Sequence, residues 1–178
     1  MRSRPAAPRV RLFFALWPDE GVRAQLAHWT RELHAVCGGR PMRPDNLHVT
    51  LAFLGSVEDA HVAQVERAAG EVAPRATRLV LDQPGYWKHN RIAWAGASAV
   101  PGELDVLVAE LRSTLARSHI GFDSKGFVSH ATLLREAREP EAMPALEPIQ
   151  WNLDGFALVR SVTLPRGSRY EVLKSWSA

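Results

Sequence analysis

The sequence predicts an α+β fold with mainly antiparallel sheet, arranged as two pseudo-symmetric lobes with helices outside and a central cleft. Three observations lead there. Strand-like apolar runs outnumber amphipathic helical segments. Their order, roughly β-α-β-α-β-β-α-β-β-β, reads as a weakly repeated β/α unit with mainly antiparallel pairing. One short pattern occurs twice in matched surroundings, as Leu47-His48-Val49-Thr50-Leu51-Ala52-Phe53 and as Ser129-His130-Ala131-Thr132-Leu133-Leu134-Arg135. A chain of 178 residues with 46% hydrophobic content fits one domain with a substantial core. That domain is placed at 10–178, and residues 1–9 are read as a disordered basic tail.

In chain order, Val10 to Trp17 is apolar and aromatic-bearing and reads as a buried strand. Pro18-Asp19 opens a helix at about 19–36, where Val22, Leu26, Trp29, Leu33 and Val36 form one apolar stripe. Gly38-Gly39 ends it, and a Pro-rich basic loop, Arg40 to Asp45, leads to the first histidine strand at about 46–54. Gly55-Ser56 is expected to break that strand, followed by a helix at about 58–73 with Val62, Val65, Ala69 and Val72 inward. Residues 77–97 read as a hairpin or meander, with Thr77–Leu81 and Arg91–Ala95 as strands and Tyr86 to Asn90 near the turn. Pro101 opens a third helix with Leu104, Leu107, Val108, Leu111 and Leu115 inward. The loop Gly121 to Phe127 delivers the second histidine strand, about 128–135. A connection at 136–148 precedes strands at about 151–160 and 168–175.

Composition excludes several classes. The single cysteine, Cys37, rules out an intramolecular disulfide framework, and no Cys/His cluster has zinc spacing, so neither metal nor cofactor is expected. The longest apolar runs are of strand length and the first residues lack a signal peptide's apolar core, which points to a cytoplasmic protein without a membrane partner. A net charge of +3 is compatible with a nucleic-acid partner.

The doubled pattern is where the chemistry lies. On a strand, side chains two apart share a face, about 7 Å apart at a rise of ~3.3–3.4 Å per residue, so each imidazole points the same way as its threonine hydroxyl. Strict alternation places Phe53 and Arg135 on the opposite face, unless the strand ends twist and bring them to the cleft rim. Histidine takes either protonation state near neutrality. A pair of them divides one reaction between general base and general acid, and threonine hydroxyls donate to phosphate oxygens where charge builds up. In-line attack at phosphorus needs that set. His28, His34, His61, His89 and His119 have no such context and read as structural. Lys125, Arg40 and Arg43 are candidates for backbone contact with a nucleic acid.

These residues resemble the 2H phosphoesterase superfamily, in particular its RNA 2′,3′-cyclic phosphodiesterase branch, also called 2′–5′ RNA ligases. The likeness is carried by Arg11 to Leu16 with Pro18, by Asn46 to Gly55, by His130 to Arg135, and by Arg169-Tyr170 with Leu173 to Trp176. It implies metal-independent hydrolysis of an RNA 2′,3′-cyclic phosphate end to a 2′-phosphate. His48 would be proton donor to the leaving 3′-oxygen and His130 proton acceptor from water. Thr50 and Thr132 would hold the phosphate, with Arg135, Phe53 and Lys125 binding substrate. Ser129 stands where relatives commonly have proline, and Lys125-Gly126-Phe127 where they often show Arg-Pro-Phe. The alternatives are a non-catalytic nucleotide- or RNA-binding module, and 2′–5′ ligation or another small cyclic phosphate as the physiological reaction.

Overall fold

The apolar runs and stripes become strands and helices in the computed structural model, which describes residues 6–178. In order these are β1 (Arg9–Leu16), α1 (Glu20–Cys37), β2 (Arg40–Pro41), β3 (Val49–Glu58), α2 (Val62–Gly70), β4 (Thr77–Leu81), β5 (Gln83–Trp87), β6 (Ile92–Gly96), α3 (Gly102–Arg117), β7 (His130–Arg135), β8 (Ile149–Leu153), β9 (Gly155–Thr163) and β10 (Ser168–Ser177). The α+β class with antiparallel pairing is as expected. The main sheet runs β10-β9-β1-β3-β7-β6-β5, with β2 also on β7, and β4-β8 forms a separate two-stranded sheet.

Helix α1 starts where Asp19 accepts a hydrogen bond from the Val22 N–H at 2.8 Å, an N-cap that meets a donor the helix leaves orphaned. Its buried stripe is Val22, Leu26, Trp29, Leu33 and Cys37. Val36, expected inward, is 46% exposed, because the stripe takes the four-residue step from Leu33 and not the three-residue one. Leu26, Trp29 and Leu33 are fully buried, each worth roughly 1.5–3 kcal/mol relative to exposure. In α3, Leu104, Leu107, Val108, Leu111 and Leu115 are all buried, as their spacing requires. Each helix covers the strands of the other half: α1 follows β1 but packs on β7, β6 and β8, while α3 follows β6 and packs on β3 and α2. The helices occupy one face of the sheet. Its other face, where Phe13, Ala15, Ala157 and Val159 form a small cluster with Trp17, Phe53 and Tyr170, carries the site.

Four sequence expectations need correction. Residues 1–5 of the expected tail lie outside the described residues, and Arg9 is already strand, paired with Glu58. Gly55 does not end the first histidine strand; at φ +70° it absorbs a bulge and β3 continues to Glu58, which shortens the helix after it. Thr77–Leu81 does not pair with residues 91–95. It pairs with β8, and the hairpin is β5–β6, with Tyr86 and Trp87 in strand. The strand expected at 151–160 is two strands, β8 and β9, in different sheets. No helix among the described residues is long and apolar enough to cross a membrane.

Candidate active site

The two halves of the sheet meet at one bridging pair, Val49 with Ala131. Each is the residue immediately after its histidine, so equivalent positions face each other, as a local twofold axis demands. Extending this antiparallel register by one residue each way sets His48 opposite Thr132 and Thr50 opposite His130. Residues directly opposite share a face, and so do residues two apart. The four side chains therefore gather on one face, and all four line one cleft of about 850 Å³.

Phe53 and Arg135 also line this cleft, against strict alternation. The cause is a β-bulge in each strand. β1 residues Phe14 and Ala15 pair with Ala52 and Thr50, leaving Leu51 extra. β6 residues Ala93 and Trp94 pair with Leu134 and Thr132, leaving Leu133 extra. The bulge falls three residues after the histidine in both copies and reverses the parity beyond it, so the fifth residue turns into the cleft. Its sequence signal is two adjacent buried apolar residues after the threonine, Leu51-Ala52 and Leu133-Leu134.

The bulged carbonyls find partners outside the ladder they leave. Leu133 C=O accepts from the Met42 N–H at 2.8 Å. Leu51 C=O accepts from Arg112 Nε at 3.2 Å and Nη2 at 3.1 Å, and Arg112 Nη1 donates to the Lys125 carbonyl at 2.7 Å. Arg112→Ala would leave the Leu51 carbonyl of β3 without these bonds, an expected loss of about 1–3 kcal/mol. Arg112→Lys should recover little of it, since an ammonium lacks the planar fork. Chemical denaturation of the three proteins checks this, and an alanine variant as stable as the parent would refute it.

Both imidazoles are oriented alike. His48 Nδ1 lies 2.7 Å from the Asn46 carbonyl and His130 Nδ1 lies 3.0 Å from the Val128 carbonyl. A carbonyl only accepts, so each Nδ1 carries the hydrogen and each Nε2 is the atom that gains or loses a proton. His48 Nε2 lies 2.9 Å from Thr50 Oγ1 and, in the neutral ring, accepts from that hydroxyl. Burial pulls the His48 pKa from the ordinary 6.5 to about 4, opposed by the Asn46 carbonyl and helped by the charges of His130 and Arg135. Burial lowers the His130 pKa too, against the pull of the Val128 carbonyl. The surroundings of His48 are aromatic: Phe13 at 4.8 Å between ring centroids, Tyr170 at 5.3 Å and Trp17 at 5.8 Å. His130 has Trp87 at 4.6 Å.

The cleft wall is strongly basic, with Arg11, Arg40, Arg43, Arg135 and Arg166 set against a single carboxylate, Glu136. Arg11 lies over the Phe53 ring at 4.8 Å, a cation–π contact, and Arg40 pairs loosely with Glu136 at 3.7 Å. Lys125 is not part of the wall. Its loop is turned by its N–H donating to Asp123 at 3.0 Å and by the Arg112 bond to its carbonyl. None of the other five histidines lines the cleft. The sequence reading missed Arg11, Phe13, Tyr170 and Arg166 as wall residues. The β1 pattern signals Arg11 and Phe13, two apart on one face, but Arg166 and Tyr170 depend on how the β9–β10 hairpin folds back. Among the described residues no three His, Cys, Asp or Glu side chains gather to hold a metal ion.

Comparison with known proteins gives the family. A profile of the family described as LigT like Phosphoesterase matches residues 16–94. The RNA 2′,3′-cyclic phosphodiesterase of Escherichia coli K12 is 36% identical over 169 residues, covering 94% of this chain and 96% of that one. The chain belongs to the LigT-like phosphoesterase family. The enzyme of the same name from Thermus thermophilus is 35% identical over 181 residues, covering 94% of this chain and 90% of that one. The crystal structure of E. coli LigT complexed with 3′-AMP superposes with a TM-score of 0.85 at 34% identity, covering 96% of this chain and 98% of that one.

Proposed function

We propose that this LigT-like phosphoesterase hydrolyses the 2′,3′-cyclic phosphate at an RNA 3′ end to a 2′-phosphate, by acid–base chemistry of two histidines and without a metal. The observation that carries the reading is the Val49–Ala131 bridge, which puts two His-x-Thr sets across one cleft. Water attacks phosphorus on one side as His130 Nε2 takes its proton. The P–O3′ bond breaks on the other side as His48 Nε2–H protonates the leaving oxygen. A low proton affinity makes His48 the readier donor once charged. Protonation also reverses its bond to Thr50: Nε2–H then donates, and the threonine hydrogen is free for a non-bridging phosphate oxygen. Thr132 serves the same oxygens from the other half, and Arg135 offers a forked cation to the phosphate. The relatives' name supplies RNA as the substrate class, and the arginine-rich wall suits its phosphates.

The test is turnover of an oligonucleotide with a 2′,3′-cyclic end in excess chelator, with product identified as 2′- or 3′-phosphate. Abolition by chelator, or a 3′-phosphate product, would sink the reading. The pH dependence follows from the depressed pKa values. In the free enzyme both imidazoles titrate below 6.5, so the bell of kcat/KM should peak on the acid side of that value. A bound phosphate anion favours the imidazolium, so the kcat optimum should lie at higher pH than the kcat/KM optimum. Coincident optima at or above neutrality would contradict this.

A further inference from the structure

We propose that Asn46 is a positioning residue that locks the His48 imidazole to the β9–β10 hairpin, making His48 the fixed member of an otherwise matched pair. Asn46 is a polar side chain with only 5% of its surface exposed, at the end of the short 3₁₀ turn Pro44–Asn46. Its amide spans two backbone groups of β10. Nδ2 donates to the Ser168 carbonyl at 2.7 Å, and Oδ1 accepts from the Tyr170 N–H at 3.2 Å. One partner needs a donor and the other an acceptor, which settles the orientation of the amide. The carbonyl of the same residue holds His48 Nδ1–H, and the Tyr170 ring packs edge-on against the His48 ring. One residue thus anchors the imidazole from behind and anchors the strand whose tyrosine walls it from the side.

The other half has no counterpart. The position equivalent to Asn46, two before the histidine, is Val128, which is 53% exposed and has no side-chain group to bond. His130 is therefore oriented by a carbonyl on a solvent-facing residue. The charged or titratable groups facing His48 are His130 and Arg135 from β7 and Tyr170 from β10. Asn46 carries no charge, so it acts on His48 by geometry. Aspartate fits the same space without the donor, and alanine has neither group.

The experiment uses the full chain as Asn46→Ala and, as a milder variant, Asn46→Ser, whose shorter side chain keeps one polar group where alanine has none. Kinetics are read on adenosine 2′,3′-cyclic phosphate at a temperature where circular dichroism shows the variant folded. Imidazole ¹⁵N spectra are recorded on histidine-labelled protein near neutral pH. The expected result is a kcat lower by about 10- to 100-fold for alanine with KM holding, and a smaller loss for serine. His48 should lose its single Nδ1–H tautomer while His130 keeps its own. Unchanged kcat in a folded variant, a loss confined to KM, or an unaltered His48 spectrum would each overturn the proposal. Only the kinetic arm rests on the hydrolytic reading. If the parent protein turns over no cyclic phosphate, that reading fails, and the spectra still decide whether Asn46 fixes the ring.

Discussion

His48→Ala and His130→Ala are each expected to lower kcat by about 10²–10⁴-fold, the usual contribution of a positioned acid or base. KM should change much less, because the phosphate contacts proposed for Thr50, Thr132 and Arg135 remain in both variants. The double variant should be little worse than the weaker single one, since acid and base serve one proton-coupled displacement and neither works fully without the other. The bell-shaped pH profile should lose a different limb in each single variant, and which limb goes assigns donor and acceptor. Stability provides an independent check on His48. Its folded pKa of about 4 lies below the ordinary 6.5, so the unfolded chain binds the proton first as the pH falls. The stability it contributes is full above about pH 6.5 and is lost as pH falls toward 4. His48→Gln should flatten that part of the stability curve. Single variants with kcat near the parent's would end the two-histidine mechanism.

How far the site is legible in the sequence depends on the range of the interaction involved. The duplicated His-x-Thr is local, and so is the rule that puts i and i+2 on one face, so spacing alone groups His48 with Thr50 and His130 with Thr132, while the Val49–Ala131 bridge that joins the two pairs is long-range. The bulges are legible in principle. Leu51-Ala52 and Leu133-Leu134 break the alternation at the same place in both copies, yet a pair of apolar residues also fits a strand buried on both faces. That ambiguity leaves Phe53 and Arg135 undecided. Pairing over long separations is not legible: nothing in Thr77–Leu81 says that its partner is Ile149–Leu153. Lys125 shows the same limit for loops. Its charge and position recommend it for the substrate, but the loop is turned by Asp123 and by Arg112 from α3. Asn46 is visible as part of a motif, while its use of Ser168 and Tyr170, over 120 residues away, is not.

Gly39→Ala is expected to cost both stability and substrate grip, because one glycine fastens a cleft wall to the second histidine strand, β7. Its φ is +83°, where a residue with a Cβ is disfavoured by roughly 1–2 kcal/mol. An added Cβ would also lie 2.6 Å from the Arg135 carbonyl oxygen and 2.9 Å from Ala137 Cα, both backbone atoms that cannot rotate away. The segment cannot simply lift off. Cys37 C=O accepts from the Arg138 N–H at 2.8 Å on one side, and the Met42 N–H donates to Leu133 C=O at 2.8 Å on the other. Forcing it apart adds an overpacking cost of about 1–3 kcal/mol. The sum, about 2–5 kcal/mol, corresponds to a Tm lower by roughly 4–20 °C at ~2–4 °C per kcal/mol for a chain of this size. The displaced residues include Arg40 and Arg43 of the cleft wall and the bond that satisfies the Leu133 bulge, so KM should rise more than kcat falls. Gly121→Ala, where an added Cβ meets nothing within 4 Å, is the matched control and should change Tm by little. Equal melting temperatures for the two variants would mean that β2 yields without strain, and the cleft wall would then have to be held by something other than Gly39.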